Sequence, residues 1–218
     1  MANFDDQVMG LTGLTISGSS TAPSQTELTQ FLTDGAKEII NLLPPKLKEK
    51  CMTFTELTAS AGTTRDMDGI GEVVHVVRKN GNSGNYAPCR KIPSMYSDLA
   101  NDSGNIIHYA TATDSVYYIE SNNSDVATLF VKPTPTDAQP AKVYHISYPA
   151  VAYNAGGTIA NFPDEAEYIV VLYAACKALQ STMGAMQASI LHSDQDGTYT
   201  AITSLSQGWE NVRFWLEN

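Results

Sequence analysis

The side chains able to do chemistry are few and scattered. Four histidines, His75, His108, His145 and His192, are the natural candidates for acid–base or metal work near neutral pH. His75, His108 and His145 fall in segments that read as strands, flanked by Val74, Val76, Tyr109 and Ile146. Histidines in that setting are ordinarily packing or surface residues. Asp66 and Asp68, in Thr64-Arg65-Asp66-Met67-Asp68-Gly69, lack the spacing of a calcium loop. Asp194-Gln195-Asp196-Gly197-Thr198 resembles the first half of such a loop but has no Glu at the closing position. Both read as turns. Asp164, Glu165 and Glu167 are explained by a place in the first turn of a helix, where the backbone dipole favours negative charge. Cys51, Cys89 and Cys176 are odd in number, far apart and without a CxxC pair, which points to free thiols in a reducing compartment. No HExxH, phosphate-binding loop, nucleophile elbow or GxGxxG motif is present. These residues support no reaction, no metal centre and no cofactor; the chain is expected to be a structural subunit and not an enzyme.

Composition agrees with that expectation. Of 218 residues, 43% are hydrophobic and only 17% charged, against about 25% charged in typical globular domains. Thr, Ser, Asn and Gln take the place of the missing charge, as on surfaces covered by partners or on ordinary acidic loops. Net charge is −10, and the only basic clusters are Lys46-Leu47-Lys48-Glu49-Lys50 and Arg78-Lys79. Grip on nucleic acid needs Lys and Arg that release counterions, so tight binding is excluded. An acidic wall that DNA slides past is not. The start MANFDDQVMG lacks the basic and apolar regions of a secretory signal. The longest apolar run, 168–179, is shorter than a bilayer span; no membrane is expected as a partner.

The elements that would position these residues follow from periodicity. Residues 1–23 form a Gly, Ser and Thr-rich flexible arm whose Phe4, Leu11, Leu14 and Ile16 are suited to dock on a neighbour. Ser24 or Thr26 opens a helix, and Ser24, three residues before Glu27, makes a capping-box pattern. Leu28, Phe31, Leu32, Ala36, Ile39, Ile40 and Leu43 mark its buried face, and Pro44-Pro45 ends it. A short helix follows over 46–51. Strands are predicted at 54–57, 73–78, 106–111, 115–120, 128–132 and 142–148, with a turn and short helix at 92–99 lying across them. Short connections favour antiparallel pairing. Ala160-Asn161-Phe162-Pro163-Asp164-Glu165 is a helix start, with Asn161 as cap, Pro163 in the first turn and acids near the positive end, and the apolar run 168–179 predicts a central helix continuing to about 190. A last helix over 200–216 carries Trp209, Arg213, Phe214, Trp215 and Leu216; Trp and Arg are the types most enriched at interface hot spots, while Val212, Trp215 and Leu216 are equally able to close the chain's own helices.

The fold expected from this order is α+β: helices of 24–51 and 160–218 form a bundle, and 52–159 form a small antiparallel β-domain inserted into it.

Several stretches carry a resemblance. NFPDEAEYIVVLYAACKAL (161–179) resembles a segment recurrent in virion structural proteins of tailed phages. The helix ending in Ile39-Ile40-Asn41-Leu42-Leu43-Pro44, the strand 129–132 running into Pro133-Thr134-Pro135, and YHISYPA at 144–150 extend the likeness over most of 27–182. The order of helix, β-insert and buried helix is similar to the head-to-tail adaptors, or connectors, of that group. The resemblance implies a ring of identical copies, typically twelve, below the portal protein in the phage neck. Such a ring extends the DNA channel towards a downstream neck or tail protein, and DNA passes without specific binding. It implies a virion component made in the host cytoplasm, with the terminal segment 209–216 reaching the portal. Alternatives are another neck or tail place, such as tail terminator or fibre attachment, and a small soluble enzyme.

Overall fold

A computed structural model of the chain describes residues 2–20, 23–81, 84–121 and 126–192, with side chains of the last helix described to Gln187. The chain divides into two compact units. One combines Met1–Leu47 with Pro149–Asn218, and the other is the continuous stretch Lys48–Tyr148.

The first unit is helical. Its longest element before the β-strands, α2 (Gln25–Leu42), is capped as the sequence requires. Ser24 Oγ accepts from the Glu27 amide at 3.2 Å, and the Glu27 carboxylate accepts from the Ser24 amide at 2.8 Å. Leu43, held extended before Pro44, ends it. Leu28, Leu32, Ala36, Ile39 and Ile40 are buried, and this face meets α4 (Asp164–His192). The helices approach closely at Gly35: a Cβ there would lie 2.8 Å from Tyr173 Cδ1.

Residues expected to form a flexible arm are placed in α1 (Phe4–Thr12), which lies against α4 with Phe4 and Val8 buried. The first amides of a helix have no partner within it. Here those of Phe4 and Asp5 donate to the carbonyls of Ala155 and Tyr153. The 151–153 stretch is tied in turn to α2, because Thr33 Oγ1 and Thr29 Oγ1 accept from the Val151 and Tyr153 amides at 3.1 and 3.3 Å. Asn161, expected as the cap of α4, instead lies three residues before Asp164 with φ 53°, a left-handed conformation that Asn tolerates better than most residues. Glu167 in the first turn accepts from the Ile159 amide at 2.6 Å. Over Asp164–Gln187, α4 is long and apolar enough to match a membrane span by length and composition. Its Val170, Val171, Ala174, Ala175 and Ala178 are nonetheless buried within the protein.

After α3 (Pro45–Lys48) and a 3-10 turn at Glu49–Cys51, the second unit is built of strands. They are β1 (Met52–Leu57), β2 (Thr64–Asp66), β3 (Ile70–Lys79), β4 (Tyr86–Pro88), β5 (Arg90–Lys91), β6 (Val116–Ser121), β7 (Ala127–Lys132) and β8 (Ala141–Ser147). They form two four-stranded sheets, ordered β1-β8-β3-β4 and β2-β7-β6-β5. Leu57, Val76, Ala141 and Val143 of the first sheet pack against Tyr117, Leu129 and Val131 of the second in one core cluster, as in sheet-on-sheet packing. Successive strand residues alternate faces, so Val116, Tyr118 and Phe130 point away from that core. They meet Ile92, Tyr96, Ala100 and Ala110 in a second cluster. The second sheet is therefore covered on both faces.

This overturns the expected fold class. The architecture is a two-sheet, sandwich-like β unit with an N-terminal helix cluster and one long C-terminal helix, not a helical bundle carrying a small β insert. Three of the strands have only two or three residues, too few for a period of two to register, so periodicity understated the β content. Sheet number is fixed by long-range pairing, which spacing does not reveal. The pairing is also not wholly antiparallel: β5 and β6 run parallel. A parallel pair needs a crossover of a dozen or more residues, and the excursion 92–115 supplies it across the outer face of the second sheet. The expected helix over 200–216 lies outside the described residues.

Candidate interaction surfaces

His75, His108 and His145 lie in three separate settings. His145 is buried on β8, where its Nδ1 lies 3.1 Å from the Ile146 carbonyl and its Nε2 3.1 Å from Thr55 Oγ1. A carbonyl only accepts, so Nδ1 carries the proton and Nε2 accepts from the hydroxyl. His75 stacks on Tyr144 with ring centroids 4.3 Å apart, and His108 stacks on Tyr96 at the same distance. His192 is placed in α4 by its backbone alone. Among the described residues no group of three His, Cys, Asp or Glu is placed to hold a metal ion.

The cysteines are held as thiols. Burial pushes Cys89 up to about 12, with the neighbouring Arg78 guanidinium opposing the shift. Burial also raises Cys51 and Cys176, opposed by Lys48 and Lys177. Nucleophilic and metal-binding cysteines act as thiolates, and these environments disfavour that form. Arg78 is itself buried and donates from Nη2 to Gln139 Oε1 at 3.0 Å, a structural polar link inside the β unit.

Of the arm residues expected to dock on a neighbour, Phe4 and Ile16 are buried, Leu14 is half-buried and Leu11 is exposed. Trp209, Arg213, Phe214, Trp215 and Leu216 lie outside the described residues.

Two surfaces of the β unit stand out, beside the Asn and Gly-rich stretches 81–86 and 101–105, which the sequence alone offers either as contacts with a neighbouring copy or as solvated tips. The outward face of the first sheet carries Phe54 from β1, Lys142 and Tyr144 from β8, His75 from β3 and Tyr86 from β4. Phe54 is 49% exposed and its ring centroid lies 5.6 Å from that of Tyr144. The Lys142 ammonium stands 4.7 Å from the ring centroids of both Phe54 and Tyr86, within cation–π range. Tyr86 donates to Glu56 at 3.3 Å. The available signal was parity: Phe54 with Glu56, and Lys142 with Tyr144, sit two apart on paired strands.

The second surface is the tip of the 92–115 excursion. Residues 106–111, expected as a strand, instead form a turn and irregular chain that leave Ile106 96% and Ile107 75% exposed. Local side-chain hydrogen bonds outcompete strand pairing here. Asn105 Oδ1 accepts from the amides of Ile107 and His108 at 3.2 and 3.0 Å, and Asp102 Oδ1 accepts from Gly104 at 2.9 Å. Below the tip, Ala110 donates to the Ala100 carbonyl, and both residues are buried with Ile92. The sequence signal was a β-branched pair set directly after Asp-Ser-Gly-Asn.

Large, exposed, pre-formed apolar features suit association better than catalysis. Comparison with curated protein sequences finds no match. A family model described as SU10 adaptor protein matches residues 7–208, which takes in most of α1, all of α2 and α4, and the whole β unit. The chain therefore belongs to the SU10 adaptor protein family: it is a phage adaptor, a structural component of the virion that associates with other head and tail proteins.

Proposed function

We propose that the chain forms a ring of identical copies, twelve in number, below the portal in the phage neck. The ring continues the DNA channel and joins head to tail, after synthesis in the host cytoplasm. The observation that carries this reading is the family match over residues 7–208. Charge supports it. The segments Met1–Leu47 and Pro149–Asn218 hold 12 of the 23 acids but only 4 of the 13 Lys and Arg residues. We assign the channel lining to these segments, since a negative wall repels the duplex and leaves it free to move. The terminal residues Trp209, Arg213, Phe214, Trp215 and Leu216 are assigned to the portal contact, and Leu11 to contact with a neighbouring copy. Cosedimentation with purified portal rings, together with imaging of the complex, tests the reading. The expected result is a closed ring seated on the portal. A chain that stays monomeric at all concentrations and does not bind portal rings overturns it.

A further inference from the structure

The two exposed apolar surfaces of the β unit lie at opposite ends of one stack of layers. From one side to the other the order is the Phe54–Tyr144 face, the first sheet, the core, the second sheet, and the excursion whose tip carries Ile106 and Ile107. We infer that the Ile106–Ile107 tip of one copy seats on the Phe54, Tyr86, Lys142 and Tyr144 face of the next copy.

Three observations support a second copy of this chain as the occupant. The surfaces are complementary in charge: residues 92–114 contain Asp98, Asp102 and Asp114 and no Lys or Arg, whereas the sheet face offers Lys79 and Lys142 beside Glu56. Asp114 is already paired with Arg90 at 3.0 Å, which leaves the exposed Asp98 and Asp102 of the excursion for the lysines. The tip is also pre-formed by the Asn105 and Asp102 hydrogen bonds and by the Tyr96–His108 stack, so little ordering is lost on docking. Finally, the surfaces differ from each other and lie on opposite sides of one unit. Contact between them is heterologous, and heterologous contacts generate rings when the rotation closes. The inference rests on the ring reading and names the contact that would build it.

The test uses the full chain with a photo-crosslinking residue in place of Ile106, mixed from light and heavy isotope-labelled copies. The expected adduct joins position 106 of one copy to a peptide holding Phe54, Tyr86 or Tyr144 of another. In parallel, the double variant Ile106→Asp, Ile107→Asp should raise the concentration for half-assembly at least about tenfold. Below the assembly concentration its melting temperature should match that of the wild type, because both side chains stand in solvent in the single copy. Where the isolated chain is monomeric, the same label is read in assembled particles. An adduct on any other surface or protein, or unchanged assembly of the double variant, overturns the contact. Imaging separates this from failure of the ring reading: a ring that persists in the double variant removes only the contact, while particles without a ring remove both.

Discussion

Cys89 shows how a chemically capable residue is silenced by its surroundings. It sits inside the β unit beside Arg78, and burial moves its thiol from an ordinary value of 9.0 to about 12. Alkylation read peptide by peptide at pH 8 should leave Cys89 unmodified in the native chain and modify it fully in urea; equal native and denatured rates would contradict this. The folded value is raised, so the thiol's contribution to stability is intact below about pH 9 and fades as pH climbs towards 12. Cys89→Ala should therefore move alkaline unfolding to higher pH. The sequence already suggested thiols without disulfides from their number and spacing. It gave no sign that Arg78, counted there in a basic pair with Lys79, is buried and bonded to Gln139, since that neighbour comes from 61 positions away.

Elements whose signals are local were legible, and those defined by pairing were not. The capping box at Ser24 and Glu27, the apolar period and Pro44 together specify α2, which is realised over Gln25–Leu42. The strands β1, β6, β7 and β8 lie where β-branched or alternating runs placed them. The 106–111 run failed because the Asn105 side chain satisfies the amides that a neighbouring strand would have taken. Close helix approach was equally hidden, since Gly35 looks like a weak point in a helical run. In the structure it admits Tyr173 of α4. Gly35→Val should lower unfolding free energy by about 2 kcal/mol through overpacking, despite a modestly better helix propensity. Chemical denaturation of the full chain measures it, and a neutral or stabilising result would show that α2 and α4 separate at little cost.

For the whole molecule, charge was the most readable property and architecture the least. A net charge of −10 predicts no salt-sensitive complex with duplex DNA at micromolar protein near physiological salt. Fluorescence anisotropy of a labelled duplex checks this, and tight binding that weakens steeply with added salt would contradict it. The division into units has a further consequence, for the order of events on the ribosome. The β unit is one uninterrupted stretch, Lys48–Tyr148, whereas the helical unit is split between the two ends of the chain. When α2 leaves the ribosome, the helix that covers Leu28, Leu32, Ile39 and Ile40 has yet to be translated. The β unit can complete its own core in that interval, since domains generally fold as units during synthesis. The first helices must wait with their apolar faces uncovered, which makes nascent α1 and α2 the natural clients of a host chaperone until α4 arrives.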